Sequence, residues 1–190
     1  IGGVTLATQV VVASVMLYCT HSELAALAYH WGKAEVAPKT IDYLEKAGQQ
    51  AVRSGAYQEA LSFFTQALTW AGPQETDFRR ATWERQLGEV HYGLGQFAQS
   101  QSHLESALAL LGWPLPASRG GQLVGLMKEL GRQTLHRLWP ARFIEDRAEE
   151  RQRLLEAARA LERLSQLYFF ANAALPCTYT SLCQLNCAES

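Results

Sequence analysis

Residues 55–68 read GAYQEALSFFTQAL, and residues 95–108 read GQFAQSQSHLESAL. Both stretches begin with glycine, carry an aromatic residue two positions later and end in Ala-Leu. The correspondence extends upstream to Gly48 and Gly88, and each matched pair lies 40 residues apart. Because self-similarity at a fixed period is typical of repeat architectures, the two stretches predict a pair of related structural units.

The matched glycines indicate antiparallel helices joined by a short turn. Gly48 and Gly88 lie inside predicted helices, where glycine costs about 1 kcal/mol relative to alanine. We expect that a second helix crosses close to each of them and offsets this cost. Gly55 and Gly95 are expected to end the first helix of each pair, since glycine readily reverses the chain after a helix.

Other matched residues predict how the paired helices pack. Ala60 and Ala67 are small residues of the second helix that let its partner approach. The aromatic residues Tyr57 and Phe97 are expected to fill the groove between the two helices of each copy.

Helical periodicity extends over most of the remaining chain, and no stretch alternates with a period of two between turns. Asp77 and Ser118 are candidate N-caps. The sequence therefore predicts an all-α fold, an α-solenoid of antiparallel helix pairs with about seven helices. We assign residues 21–190 to this helical repeat domain and residues 1–20 to an atypical N-terminal segment.

Composition restricts the partner classes. The chain holds 17 Lys and Arg against 18 Asp and Glu, a formal net charge of −1, whereas nucleic-acid-binding domains usually carry a basic face. Residues 1–18 are uncharged but slightly short of the about 20 apolar residues of a membrane helix. They are interpreted either as a buried or non-native terminal segment or as a membrane or targeting segment. Because the chain begins with Ile1, we expect it to be part of a longer polypeptide.

The first copy resembles a tetratricopeptide repeat. The residues that carry the resemblance are Leu44, Ala47, Gly48, Ala51, Gly55, Tyr57, Ala60, Phe64, Ala67 and Pro73. The second copy matches less fully, and its Trp83 lies one position away from the usual tryptophan. The resemblance implies a right-handed solenoid. The usual period is about 34 residues, so the roughly six extra residues are assigned to the connection 71–78.

A longer resemblance covers about residues 24–176. Residues 27–31 (LAYHW), 37–51 (APKTIDYLEKAGQQA), 136–140 (HRLWP), 160–164 (ALERL) and 168–172 (YFFAN) are similar to the helical region after the ATPase module of large bacterial signalling proteins. In those proteins an AAA-like or STAND-type ATPase is fused to tetratricopeptide repeats and often to a class III adenylate/guanylate cyclase or a kinase domain. The resemblance implies a cytoplasmic, non-catalytic regulatory module. Its partner would be a protein or peptide segment, or neighbouring domains of the same polypeptide. We expect it to bind neither nucleic acid nor a membrane. The alternative is a ligand-sensing solenoid of a STAND-type transcription regulator.

Motifs for catalysis or cofactors are absent from the sequence. It contains neither the G-x-x-x-x-G-K-[ST] phosphate loop nor G-x-G-x-x-G, H-E-x-x-H or G-x-S-x-G. We therefore predict no catalytic residue, no cofactor-binding residue and no enzyme activity for this chain.

Metal-ligating residues lack the expected clustering. A structural zinc site needs four ligands, and the five histidines occur singly along the chain. Cys183 and Cys187 would share a helix face, and with Cys19 and Cys177 they are interpreted as reduced thiols packed as small hydrophobic residues. We predict no metal site.

The surface of the repeats remains as a candidate functional region. In tetratricopeptide arrays the first helix of each pair lines a concave groove that binds peptides or neighbouring domains. By position, the resemblance places Glu45, Gln49, Arg53, Arg85, Glu89 and Tyr92 in that groove. The alternative is that these residues belong to ordinary solvated helix faces.

Overall fold

The computed structural model describes residues 23–33, 37–72, 75–138 and 148–188, which form helices and their connections without any strand. The all-α prediction is confirmed, with eight helices in the described residues instead of about seven. They are α1 (23–33), α2 (Ala37–Ser54), α3 (Tyr57–Trp70), α4 (Asp77–Gly93), α5 (Phe97–Leu111), α6 (Arg119–Leu138), α7 (Ala148–Phe170) and α8 (Ala174–Ala188).

The chain divides into two compact units, one ending at Glu75 and the other beginning at Thr76. This boundary falls inside the connection 71–78, to which the sequence assigned the extra residues of the longer period. The predicted N-terminal segment 1–20, with its two interpretations, lies outside the described residues. Within the described part of the chain, no helix combines the length and the apolar character that crossing a membrane requires.

The first unit is built around the hairpin of α2 and α3. A Cβ atom added to Gly48 would lie 2.8 Å from the Phe64 ring, so α3 crosses α2 at this glycine as predicted. Ala60 and Ala67 have no exposed surface, which confirms that small residues line the contact. Gly55 ends α2 with a φ of 77°, a left-handed conformation that glycine adopts without strain.

The second unit repeats this hairpin with α4 and α5. A Cβ atom on Gly88 would lie 2.6 Å from Leu104, and the Ser100 hydroxyl donates a hydrogen bond of 2.8 Å to the Gly88 carbonyl. Gly95 ends α4 with a φ of 73°. The two copies therefore share one contact, in which a large side chain sixteen residues after the glycine fills the space that a Cβ would occupy.

A third hairpin, α7 and α8, follows in the same unit, and the sequence did not identify it as a copy. Asn172 takes the left-handed turn position with a φ of 53°, as asparagine does more readily than most residues. The Ala173 amide bonds the Tyr168 carbonyl, which repeats the bonds from Ala56 to Ala51 and from Gln96 to His91. One turn geometry thus joins all three hairpins.

The core of the second unit lies where α7 packs against α4 and α5. Its buried members are Ala81, Leu104, Leu108, Leu111, Ala157, Ala160, Leu161, Leu164 and Leu167. Helix α6 lies outside this cluster and packs on α8, where the Asn186 amide donates to Glu129.

Two local predictions were wrong. Thr76, not Asp77, is the N-cap of α4, and its hydroxyl accepts a bond of 3.3 Å from the Arg79 amide. Phe97 does not fill the groove between α4 and α5, because 55% of its surface is exposed. As the first residue of α5 it points back over the turn, and its ring centroid lies 5.6 Å from that of Tyr92. The N-cap prediction for Ser118 is confirmed by the bond from the Gly121 amide to its hydroxyl.

Candidate functional site

The three candidate residues of the first unit lie one turn apart on α2. The Gln49 amide donates a hydrogen bond of 3.2 Å to the Glu45 carboxylate, and both side chains are half-buried. Arg53 is exposed at the end of the helix. Together Glu45, Gln49 and Arg53 form the α2 polar stripe.

In the second unit, the predicted groove residue Arg85 is covered by α7. Only 7% of its surface is exposed, and its Nε donates to the Glu156 carboxylate, which is 9% exposed. Arg159 donates to the other oxygen of Glu156 at 2.6 Å. A buried arginine and a buried glutamate therefore neutralise each other at the contact of α4 with α7.

Glu89 and Tyr92 meet the same helix through Arg163. The guanidinium of Arg163 donates from Nε to Oε1 of Glu89 at 3.1 Å and from Nη2 to Oε2 at 2.7 Å, a bidentate arrangement. Its carbon lies 4.2 Å from the centroid of the Tyr92 ring, within cation–π range. Burial alone would lower the pKa of Arg163, but the bonds to Glu89 and its negative charge raise that pKa overall, so the guanidinium stays charged.

These contacts give the relative direction of the two helices. Arg85 bonds Glu156, and further along both helices Glu89 bonds Arg163. Since the residue numbers rise together, α4 and α7 run in the same direction.

Sequence reasoning did not identify Glu156 or Arg163 as site residues, because nothing in the repeat pattern shows that α7 packs on α4. One signal in the sequence could have indicated the pairing of these helices. The charges occur in opposite order, Arg85 before Glu89 on α4 and Glu156 before Arg163 on α7. Periodicity alone does not reveal which helix faces which.

Two histidines, one on each helix, meet in the hairpin of α4 and α5. The rings of His91 and His103 stack with centroids 4.9 Å apart. Nδ1 of His91 lies 2.6 Å from the Gln96 side-chain oxygen, and Nδ1 of His103 lies 2.7 Å from Glu84. Across the described residues, no group of three or more His, Cys, Asp or Glu side chains is arranged to hold a metal ion.

Cys183 and Cys187 share one face of α8, as their four-residue spacing predicted, and lie near Glu129 and Arg132 of α6, whereas Cys177 donates to the Ser165 carbonyl of α7. Cys177, Cys183 and Cys187 are free. Burial raises the pKa of the Cys183 thiol to about 12 and that of Cys187 to about 11. Both are therefore protonated at neutral pH and are poor nucleophiles, since the thiolate is the reactive form.

The first unit holds a cavity of about 440 Å³ between α1, α2 and α3. Aromatic side chains of Tyr29, Phe63 and Trp70 line it, and Lys33 and Gln66 bring polar groups to its wall. Cavities of this size and composition suit small organic ligands.

Comparison with known protein families, with curated proteins and with solved structures finds no match for this chain.

Proposed function

We propose that this chain is a non-catalytic interaction and regulatory module, built as a tetratricopeptide-like right-handed α-solenoid. The observation that supports this most is the parallel contact of α4 and α7 through Arg85–Glu156 and Glu89–Arg163. First helices of stacked hairpins run in the same direction in a helical solenoid, and α4 and α7 do so here although α6 lies between the two hairpins in the chain. Such arrays bind partners along extended surfaces made by successive repeats.

The α2 polar stripe is the proposed partner surface. Glu45 and Gln49 offer hydrogen-bonding groups, and exposed Arg53 adds a positive charge at one end. This combination suits an extended polar peptide with an acidic residue near one end, since arginine binds carboxylates through paired hydrogen bonds. The peptide would come from a partner or from a neighbouring domain of the same polypeptide. In keeping with the resemblance, the parent protein is proposed to be a cytoplasmic bacterial ATPase fused to an adenylate or guanylate cyclase.

Peptide display against the 190-residue chain tests the partner surface. Enriched peptides should bind with micromolar affinity in calorimetry, and Arg53→Glu should weaken that binding at least tenfold. Lys46→Glu is the matched control, because it makes the same charge change at an exposed position of α2 off the stripe. Failure to enrich any peptide, or equal binding by both variants, would contradict the proposal.

The cavity of the first unit favours a second candidate function, that of a ligand-sensing solenoid of a STAND-type transcription regulator. Its aromatic lining and Lys33 suit a planar aromatic ligand that carries an anionic group. A fragment screen by ligand-observed NMR tests this candidate. Hits should be lost in Tyr29→Ala, whose native side chain is 63% exposed and contributes little to the core. A helix-turn-helix after this region in the parent reading frame would favour this candidate, whereas a phosphate loop before it would favour the first.

A further inference from the structure

Helix α6 turns its apolar face outward. Five large hydrophobic side chains on it are 45–72% exposed: Leu123, Val124, Met127, Leu130 and Leu135. Successive members lie one, three, three and five residues apart, which places them along one side of the helix. We call these five residues the α6 stripe. From Gly120 to Leu135, the exposed positions hold a single charged side chain, Lys128, at the edge of the stripe.

The opposite side of α6 is the one fixed to the protein. A Cβ atom on Gly125 would lie 2.8 Å from the Tyr179 ring, so the helix approaches α8 closely there. The Asn186 amide donates to the Glu129 carbonyl at 3.0 Å and to its carboxylate at 2.7 Å. Glycine and polar contacts thus hold the inner side, whereas a surface helix usually buries its apolar side.

The exposed area is large enough to support a specific contact. From the exposed fractions of its five side chains, the α6 stripe presents on the order of 500 Å² of mainly apolar surface, so two copies together would bury about 1,000 Å², the lower limit for a biological interface. Thr134, which lies along the stripe, already donates its hydroxyl to the Leu130 carbonyl at 2.8 Å. Burying it therefore leaves no unpaired donor.

The order of large and small residues on the exposed side of α6 is self-complementary from Leu123 to Gly131. We propose that α6 pairs in antiparallel fashion with α6 of a second copy of this chain, about a two-fold axis at Met127. Each Leu123 then lies opposite Gly131 of the second copy, and each Val124 lies opposite Leu130. A Cβ atom on Gly131 would meet nothing within 4 Å in the single chain, so this glycine leaves open space for an incoming leucine.

Sedimentation equilibrium of the 190-residue chain tests the pairing. The wild-type protein should be a dimer at micromolar concentrations. Gly131→Leu should raise the dimer dissociation constant at least tenfold by blocking the site of Leu123. Its monomer should keep its helical circular dichroism, because the position is open and leucine favours helix more than glycine does.

Two further variants make the result specific to the proposed register. Adding Leu123→Ala to Gly131→Leu should restore the dimer, since it exchanges the large and small partners. Leu155→Asp is the control, because this α7 side chain is 50% exposed, close to the 53% of Leu123, and lies off α6. It should leave the dimer intact, whereas Leu123→Asp should abolish it.

A wild-type monomer at the highest soluble concentration, or a Gly131→Leu dimer as tight as wild type, would overturn the proposal. Flotation with phosphatidylcholine/phosphatidylglycerol vesicles tests the other possible occupant of the α6 stripe, a lipid surface. A monomer that floats with vesicles and loses this binding in Met127→Asp would assign the α6 stripe to a lipid surface instead.

Discussion

Corresponding positions of α2 and α4 have different environments, although each is the first helix of one copy of the repeat. Position 45 corresponds to position 85, and position 49 to position 89. On α2 the pair is Glu45 and Gln49, half-buried and bonded to each other. On α4 the pair is Arg85 and Glu89, and both bond residues of α7. The repeated pattern therefore specifies the hairpin and its core, while the polar positions vary with what packs beside them.

The largest expected effect comes from breaking the buried ion pair that distinguishes α4. Glu156→Leu leaves the Arg85 charge buried without its partner, and we expect the free energy of unfolding of the second unit to fall by about 3–5 kcal/mol. Urea denaturation followed by circular dichroism measures this loss. The double variant Arg85→Met/Glu156→Leu should recover most of it, because no charge is then buried.

The corresponding change on α2 serves as the control for the ion pair. Glu45→Leu should alter stability by less than about 0.5 kcal/mol, as expected for a partly exposed position. An equal loss in Glu45→Leu and Glu156→Leu would remove the distinction between the two helices.

The next largest effect tests what the two hairpins share. Gly48→Ala and Gly88→Ala should each destabilise by about 1–3 kcal/mol, because the added methyl group overlaps Phe64 or Leu104. Gly120→Ala, where a Cβ meets nothing within 4 Å, should leave stability unchanged or raise it. Thermal unfolding of the three variants measures the contrast, and tolerance of alanine at Gly48 or Gly88 would disprove the close crossing.

The smallest effect concerns the turns. Gly95→Ala places an alanine at a φ of 73° and should cost about 1–2 kcal/mol, since a left-handed conformation strains residues with a Cβ. Asn172→Gly should be neutral or slightly stabilising, because glycine accepts the same conformation in the third hairpin. Denaturant midpoints compare the two, and a destabilised Asn172→Gly would show that the asparagine side chain has a role beyond turn formation.

The sequence revealed those parts of the fold that depend on local backbone chemistry. Gly48, Gly55 and their counterparts could be interpreted because glycine inside a helix, or just after one, has few structural explanations. The third hairpin escaped detection because Asn172 replaces the turn glycine. The exposure of Phe97 was missed because a position at the start of a helix looks the same in sequence whether its side chain points inward or back over the turn.

The candidate site was only partly predictable, because it depends on which helices become neighbours. Arg85 and Glu89 were recognised as polar residues of a first helix, but their partners Glu156 and Arg163 lie 71 and 74 residues further along the chain. Such pairings follow from packing between distant elements, which one sequence does not reveal. The contact of His91 with His103 lies within the predicted hairpin of α4 and α5, and it was missed because the repeat pattern does not show which way these side chains point.

The parallel contact of α4 with α7 is the central claim, and a charge-exchange cycle at Glu89 and Arg163 tests it most directly. Each single reversal, Glu89→Arg or Arg163→Glu, places like charges together and should reduce the free energy of unfolding. The double variant should restore stability to near the wild-type value, with a coupling energy of about 1–3 kcal/mol, as contacting charged residues show. Additive losses in the double variant would contradict the contact, and with it the stacking of successive hairpins.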